Sequence, residues 1–290
     1  MRLLRVGPAG EESAAIMDAD GRVWDASSIV PDITPDILSP EQLERIRSKL
    51  SEAAGTLPEI DLSTTRVGPP LTGIGKVVCV GLNYRKHANE TGQSIPLEPI
   101  LFMKAADTIG GPNDAVLIPP TSVKTDYEVE LAVVIGSTAR YLEESDDALA
   151  YVAGFAISND VSEREFQLER GGQWDKGKNC ETFNPLGPVL VTSDEIADVQ
   201  KLTMTLSVNG EVRQSSSTAD MIFSVEFIVR YVSQFMVLYP GDIINTGTPE
   251  GVGLAFSPPR FLVPGDKVQV EIQGLGRQEH RFERASARRA

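Results

Sequence analysis

The sequence predicts an α+β fold that is mostly β, and three observations carry that expectation. Short apolar or alternating runs bounded by Gly, Pro and Asn recur from Ile74 onward. Asp20-Gly21 and Asn209-Gly210 each sit between alternating segments, the pattern of a tight hairpin turn. Helical spacing is confined to a few stretches.

Taken in order, residues 1–72 read as a small N-terminal α/β domain and residues 73–290 as the main body. "AAIMDADGRVWDAS" is a hairpin by its alternation around Asp20-Gly21. "LSPEQLERIRSKLSEAA" predicts a helix with Ser39 as N-cap, Pro40 at the first position and Leu43, Ile46 and Leu50 on one face. "TTRVGPPLTGIG" is the connector. Beyond it, "KVVCVGLNY", "DYEVELAVVIG" and "VAGFAISND" read as strands and "LTMTLSVNGEVRQ" as a hairpin. "SVEFIVRYVSQF" has helical spacing at Val225, Ile228, Val232 and Phe235. The "PGD" turns at 240–242 and 264–266 launch "IINTG" and "KVQVEI". The tail "RFERASARRA" is basic and expected to fray, with His280 at its edge.

Composition narrows the function. Of 290 residues 41% are hydrophobic and 23% charged, an ordinary globular balance. A net charge of −14 disfavours nucleic acid or an anionic membrane surface as the main partner. No apolar run reaches the roughly 18 to 20 residues that cross a bilayer. "MRLLRVGPAGEE" has no apolar signal core, so a cytoplasmic location is expected. Two cysteines, Cys79 and Cys180, form no disulfide framework.

Four stretches carry chemistry. In "KTDYEVELAVVIG", Glu128 and Glu130 project from one face of a strand, while Tyr127, Val129, Leu131, Val133 and Ile135 line the other. Adjacent carboxylates repel unless a cation, a proton or solvent compensates them. Asp160, at the end of "VAGFAISND", supplies a third carboxylate. Three such oxygens suit a hard cation such as Mg²⁺, and the absence of nearby His or Cys disfavours zinc. Alone, the Glu-x-Glu pair fits a solvated edge strand as well. In "NYRKHANETGQS", His87 and Glu90 share a face of one helical turn, so the carboxylate would orient the imidazole as a general base. A solvated turn explains that spacing equally. In "WDKGKNCETFNPLGP", Lys178 places a cation in a Gly/Pro/Asn-rich loop. "NTGTPEGVG" offers hydroxyls and backbone N–H groups to an anion.

Together, in this order, the four stretches resemble the fumarylacetoacetate hydrolase superfamily over roughly residues 74 to 275. "ERGGQWDKGK" and "GEVRQSSSTADMIF" resemble its 2,4-diketo-3-deoxy-L-fuconate hydrolase branch, acylpyruvate hydrolase-like, some relatives of which are called ureidoglycolate lyase. The resemblance implies a mixed β-roll around a metal, usually in a homodimer. It also implies Glu128, Glu130 and Asp160 as ligands of Mg²⁺ (with Mn²⁺ or Ca²⁺ suited to the same site). His87 and Glu90 would be the catalytic pair on a mobile lid and Lys178 the active-site lysine. Arg164, Gln167, Thr248 and Lys104 would contact substrate. One departure is Asn179-Cys180, where relatives carry smaller residues.

The expected function is therefore Mg²⁺-dependent hydrolysis of a C–C bond in a 2,4-dioxo acid, releasing pyruvate. The alternatives are decarboxylation of oxaloacetate, isomerisation of an unsaturated oxo-acid, or ureidoglycolate cleavage. A metal-dependent oxo-acid binder without turnover is the rival from another class, although pure binding needs no base.

Overall fold

The computed structural model describes residues 1–286. Its centre is a ten-stranded sheet. In spatial order the strands are Glu59–Ile60, Val23–Asp25, Ser13–Met17, Arg2–Val6, Leu190–Thr192, Val152–Asn159, Val129–Ile135, Ile243–Asn245, Val77–Gly81 and Ile100–Lys104. The pairings are antiparallel except Ile243–Asn245 with Val77–Gly81, which run parallel. A second sheet orders Glu211–Ser217, Thr203–Val208, Lys267–Ile272, Gly276–Arg284 and Val116–Ile118. The Asn209-Gly210 turn closes the first hairpin of that sheet with φ of 51° and 84°, a left-handed pair that Asn and Gly tolerate.

Side-chain alternation decides what each face of the central strand meets. Tyr127, Val129, Leu131, Val133 and Ile135 join one core cluster together with Leu206, Val268, Val270 and Phe282 of the second sheet. Ala132 and Val134, on the face shared with Glu128 and Glu130, join another cluster with Leu43, Ile46 and Leu50. Those three residues lie on the helix Pro40–Glu52, capped by the Ser39 hydroxyl accepting from Gln42 N at 3.3 Å. Each buried Leu or Ile contributes roughly 2 kcal/mol relative to exposure. The strand is thus buried on both faces, not at a solvated edge.

The boundary expected near residue 72 marks a change of sequence character, not a gap in packing. Arg2–Val6 pairs with Leu190–Thr192 and so prolongs the central sheet. Leu3, Ala14 and Leu71 share a core cluster with Val77 and Ala132. Helical spacing predicts Val225–Val232 well, since Val225, Ile228, Val229 and Val232 are buried. Phe235 departs from it: it lies past the helix end, exposed, with its ring 4.9 Å from that of Tyr231. No described helix is long and apolar enough to cross a membrane.

The expected frayed tail is also corrected. Gly276–Arg284 is a strand paired on both sides, through Lys267↔Arg281 and Phe282↔Val116. Residues 287–290 lie outside the described residues. His280 sits fully buried in that strand, Nε2 against Gln278 Oε1 at 3.0 Å. Burial pulls its pKa down to about 4. The unfolded chain therefore takes up a proton near pH 6.5 that the folded chain refuses until about pH 4. Above the unfolded value the two states bind equally and no penalty exists; the penalty grows as pH falls through that window. Urea denaturation at pH 7.5 and pH 4.5 should show a loss of up to about 3 kcal/mol from this group. His280→Gln, which cannot titrate, should shrink that pH dependence.

Candidate metal centre and its cavity

Strand register assembles the acids. Val129 pairs with Asn159 and Glu130 with Ser158. One step further, Asp160 N donates to Glu128 O at 2.9 Å, so Asp160 stands across from Glu128. Opposed residues of an antiparallel pair share a face. Glu128, Glu130 and Asp160 converge with one carboxylate oxygen from each lying within 4.8 Å of the others, and all three are buried.

Such a cluster is strongly repulsive without positive charge. Lys178 Nζ donates to Glu128 Oε2 at 2.6 Å and to Asp160 Oδ2 at 2.7 Å. Arg164 donates from Nη2 to Glu128 Oε1 at 2.7 Å and from Nε to Asp126 Oδ2 at 2.9 Å. Burial would raise the pKa of Glu128, but Lys178 and Arg164 outweigh it and bring it down to about 2. Burial would lower that of Lys178, but Asp160 and Glu128 hold the ammonium above its usual range. Glu130 is left over. Burial, with Asp160 and Glu128 beside it, pushes its pKa well up. Among the described residues it has no ion pair, and it accepts from Gly247 N at 2.8 Å. Three oxygen donors in a buried cluster still short of positive charge can hold a hard divalent cation.

Local structure sets the cations. The short helix Asp175–Lys178 presses so closely on its neighbours that a Cβ on Gly177 would meet Glu163 O at 2.3 Å and Gln167 N at 2.6 Å. Asn179, the departure noted above, fastens this turn by accepting from Ala105 N and donating to Met103 O at 3.2 Å. Arg164 precedes a π-helical turn, Glu165–Glu169, a geometry that gathers at functional sites. The turn brings Gln167 Oε1 to 3.0 Å from Arg164 Nη1.

On the helix Arg85–Glu90, His87 Nδ1 lies 2.8 Å from Glu90 Oε1. Gly251 N donates to both Glu90 oxygens at 3.0 Å, fixing the acid from behind. With Nδ1 committed to Glu90, Nε2 is the ring nitrogen left for the cavity. Thr248 Oγ1 accepts from Gln214 Nε2 at 2.8 Å.

A cavity of about 220 Å³ brings His87, Glu128, Glu130, Arg164, Gln167, Lys178 and Thr248 together along its walls. Asp160 lies beneath Lys178, and Glu90 behind His87. Lys104 is placed otherwise than the resemblance implies. It lines no part of this cavity. Its buried ammonium is bonded to Asp160 Oδ1, to Val161 O at 3.1 Å and to Phe183 O at 2.7 Å. Three donors on three acceptors leave none for substrate. Lys104→Met should therefore lower the stability of chelator-treated protein by about 3 kcal/mol, the scale of breaking a buried pair. A divalent cation should restore part of that loss in thermal melts. An unchanged melting temperature would show that Asp160 does not need this partner.

Several residues that build the site were not singled out from the sequence. Asp126 accepts from Gly253 N at 2.7 Å and Leu254 N at 3.0 Å while holding Arg164, so it ties the loop after Thr248 to the acidic strand. Its signal was present, as the first acid of the alternating trio Asp126, Glu128, Glu130. Gln214 bridges Thr248 and Val129 N, and Asn83 joins Phe223 O and Thr246 O; no local pattern marks either.

The segment from His87 to Ser94 is rich in Asn, Gly and Ser beside an expected base. Oxalate, a mimic of the pyruvate enolate, should protect it from limited proteolysis if it closes over bound ligand. Equal cleavage with and without oxalate would sink closure.

Fold and site define a β-roll protein with a small-molecule cavity floored by a buried acidic triad. The chain belongs to the fumarylacetoacetate hydrolase family: it matches the fumarylacetoacetate (FAA) hydrolase C-terminal family over residues 76–283. A protein of Burkholderia lata named only as a hydrolase is 49% identical over 279 residues, covering 96% of this chain and 97% of that one. Maleylpyruvate hydrolase from Sphingobium sp. SYK-6, solved with manganese(II) and pyruvate, superposes with a TM-score of 0.82 at 27% identity, covering 99% of this chain and 100% of that one. A 2-hydroxyhepta-2,4-diene-1,7-dioate isomerase from Mycobacterium marinum superposes with a TM-score of 0.74 at 31% identity over 99% of each chain. The family thus holds hydrolases and isomerases of oxo-acids.

Proposed function

We propose that this protein is a Mg²⁺-dependent hydrolase that cuts the C–C bond of an acylpyruvate and releases pyruvate. The observation that carries the reading is the convergence of Glu128, Glu130 and Asp160 beneath a cavity that His87, backed by Glu90, also lines. The neighbour solved with manganese(II) and pyruvate supports it.

Glu128, Glu130 and Asp160 would hold the Mg²⁺ ion, which would supply positive charge to bind an anionic pyruvoyl group and favour its enolate. His87 takes a proton on Nε2 from a water that attacks the 4-oxo carbon. Glu90 holds the ring in the required tautomer and stabilises the imidazolium. Collapse of the tetrahedral species breaks the C3–C4 bond, leaving a carboxylic acid and a pyruvate enolate. Lys178 offers its ammonium to the enolate charge, and return of the proton from the His87 imidazolium to C3 completes pyruvate and restores the base. Thr248 and Gln167 orient the substrate from the cavity wall.

The isomerase neighbour favours one second reading, in which the same enolate is reprotonated without water attack. Pyruvate release from a panel of acylpyruvates, beside oxaloacetate and an unsaturated oxo-acid, with and without EDTA, separates the readings. Chelator-sensitive pyruvate release from acylpyruvates is the expected result. Preference for oxaloacetate, or isomerisation without pyruvate release, would overturn it. The proposal includes a homodimer in the cytoplasm, checked by analytical ultracentrifugation and cell fractionation.

A further inference from the structure

Much of the cavity wall is hydrocarbon. Leu82, Phe102, Leu168, Trp174, Val252 and Leu254 line it, and the Phe102 ring centre lies 5.0 Å from Lys178 Nζ, so the apolar surface begins beside the charged groups. The Trp174 indole is held in place on two sides. Its ring lies 5.6 Å from that of Phe102, edge to face. It also rests on Gly81 so closely that a Cβ there would meet Trp174 Cζ3 at 2.7 Å. Any larger residue at 81 would displace the indole from the cavity wall.

Leu82 adds an independent observation. Its φ is +52°, a left-handed conformation that a leucine adopts only when its surroundings impose it. The next residue supplies the constraint: buried Asn83 donates to Phe223 O at 3.1 Å and Thr246 O at 2.8 Å, and accepts from Phe223 N at 2.8 Å. Strained backbone thus fixes an apolar side chain at the cavity, and strain of this kind collects at ligand-contacting positions.

Charge points the same way. Among the described residues lining the cavity, the permanent cations are Arg164 and Lys178. Both are committed to acids: Arg164 to Asp126 and Glu128, and Lys178 to Glu128 and Asp160. His87 is against Glu90. A second carboxylate at the far end of a substrate would lose its hydration and meet no unpaired cation. Of the neutral polar side chains along the wall, Thr91, Gln167 and Thr248 are already hydrogen-bonded within the protein, so beside Gln93 a polyol would exchange most of its hydrogen bonds for contact with six hydrocarbon surfaces.

We infer that the substrate's acyl tail is an uncharged, short hydrocarbon, so that the protein selects monocarboxylic acylpyruvates over dicarboxylic and polyhydroxylated ones. This rests on the function proposed above and narrows it, away from the sugar-acid branch that the sequence resembles and from the diacid of the isomerase neighbour. The restricted volume, about 220 Å³ for the whole cavity, sets the tail's shortness.

The test uses three six-carbon 2-oxo acids that cannot be hydrolysed: 2-oxohexanoate, 2-oxoadipate and 2-keto-3-deoxygluconate. Each is titrated into Mn²⁺-loaded full-length protein carrying Trp24→Phe, so that Trp174 is the remaining tryptophan and reports binding by fluorescence. The expected result is that 2-oxohexanoate binds about tenfold or more tighter than the other two. Leu82→Gly, which relieves the left-handed strain and removes the side chain, should fold normally and lose most of that preference. Equal or tighter binding of 2-oxoadipate or the sugar acid would overturn the inference, as would no measurable binding by any of the three. Pyruvate release from hexanoylpyruvate, assayed separately, keeps the two ideas apart. Tail preference without hydrolysis removes the proposed reaction and leaves this inference standing. Hydrolysis with preference for a diacid tail does the reverse.

Discussion

Replacing His87 with alanine should lower kcat/KM for acylpyruvate hydrolysis by roughly 10²- to 10⁴-fold, the usual contribution of a positioned base. The imidazole is buried, its Nδ1 is 2.8 Å from Glu90, and Gly251 N clamps that acid. Removing the ring removes the proton acceptor without touching the acidic triad. Mn²⁺ affinity, followed by electron paramagnetic resonance, should therefore stay unchanged, a readout that a merely misfolded variant would fail. Oxaloacetate decarboxylation needs an enolate but no attacking water, so any such side activity should fall much less. Glu90→Ala should weaken hydrolysis in the same direction but by a smaller factor, because the imidazole survives with poorer orientation. An unchanged hydrolysis rate in His87→Ala would take this residue out of the mechanism.

The second large effect separates ligation from structure within the triad. Glu130→Gln should reduce divalent-metal affinity by about 10²-fold or more, since it removes a charged ligand where even supporting residues are worth 10- to 100-fold. It should leave the metal-free protein close to wild-type stability. Glu130 has no ion pair among the described residues, so no buried cation loses its partner. Glu128→Gln should weaken metal binding too, but at a structural cost, because Arg164 and Lys178 both lean on that carboxylate. Breaking a buried pair costs about 3 to 5 kcal/mol, so its melting temperature in chelator should fall visibly. Calorimetric titration with Mn²⁺ beside thermal melts in EDTA reads both quantities. Full metal affinity in Glu130→Gln would end the three-carboxylate reading.

Much of the candidate site was legible because strand geometry is periodic. Alternation alone put Glu128 and Glu130 on one face, and the core clusters divide the strand along that line. The helical spacing of three made the His87–Glu90 contact readable. The two Gly-containing turns and the Ser39 cap were equally local signals. What failed was non-local. Lys104 fell near a lysine of the family pattern, yet its role follows from Phe183 O and Val161 O closing around it. Residues 281–284 read as the start of a basic tail because nothing in their local pattern marks a strand, but two neighbouring strands claim their backbone.

The sequence by itself determined the local elements, the two acids of one strand face, the His–Glu turn and, through their combined order, the family. Tertiary structure alone decided that Asp160 stands across from Glu128, because antiparallel register depends on pairing between segments about thirty residues apart. It alone decided that Lys178 and Arg164 neutralise Glu128 while Glu130 has no ion pair among the described residues. Charge compensation inside a protein depends on distances of a few ångströms between remote segments and on the exclusion of water, and neither is encoded in the spacing of residues along the chain.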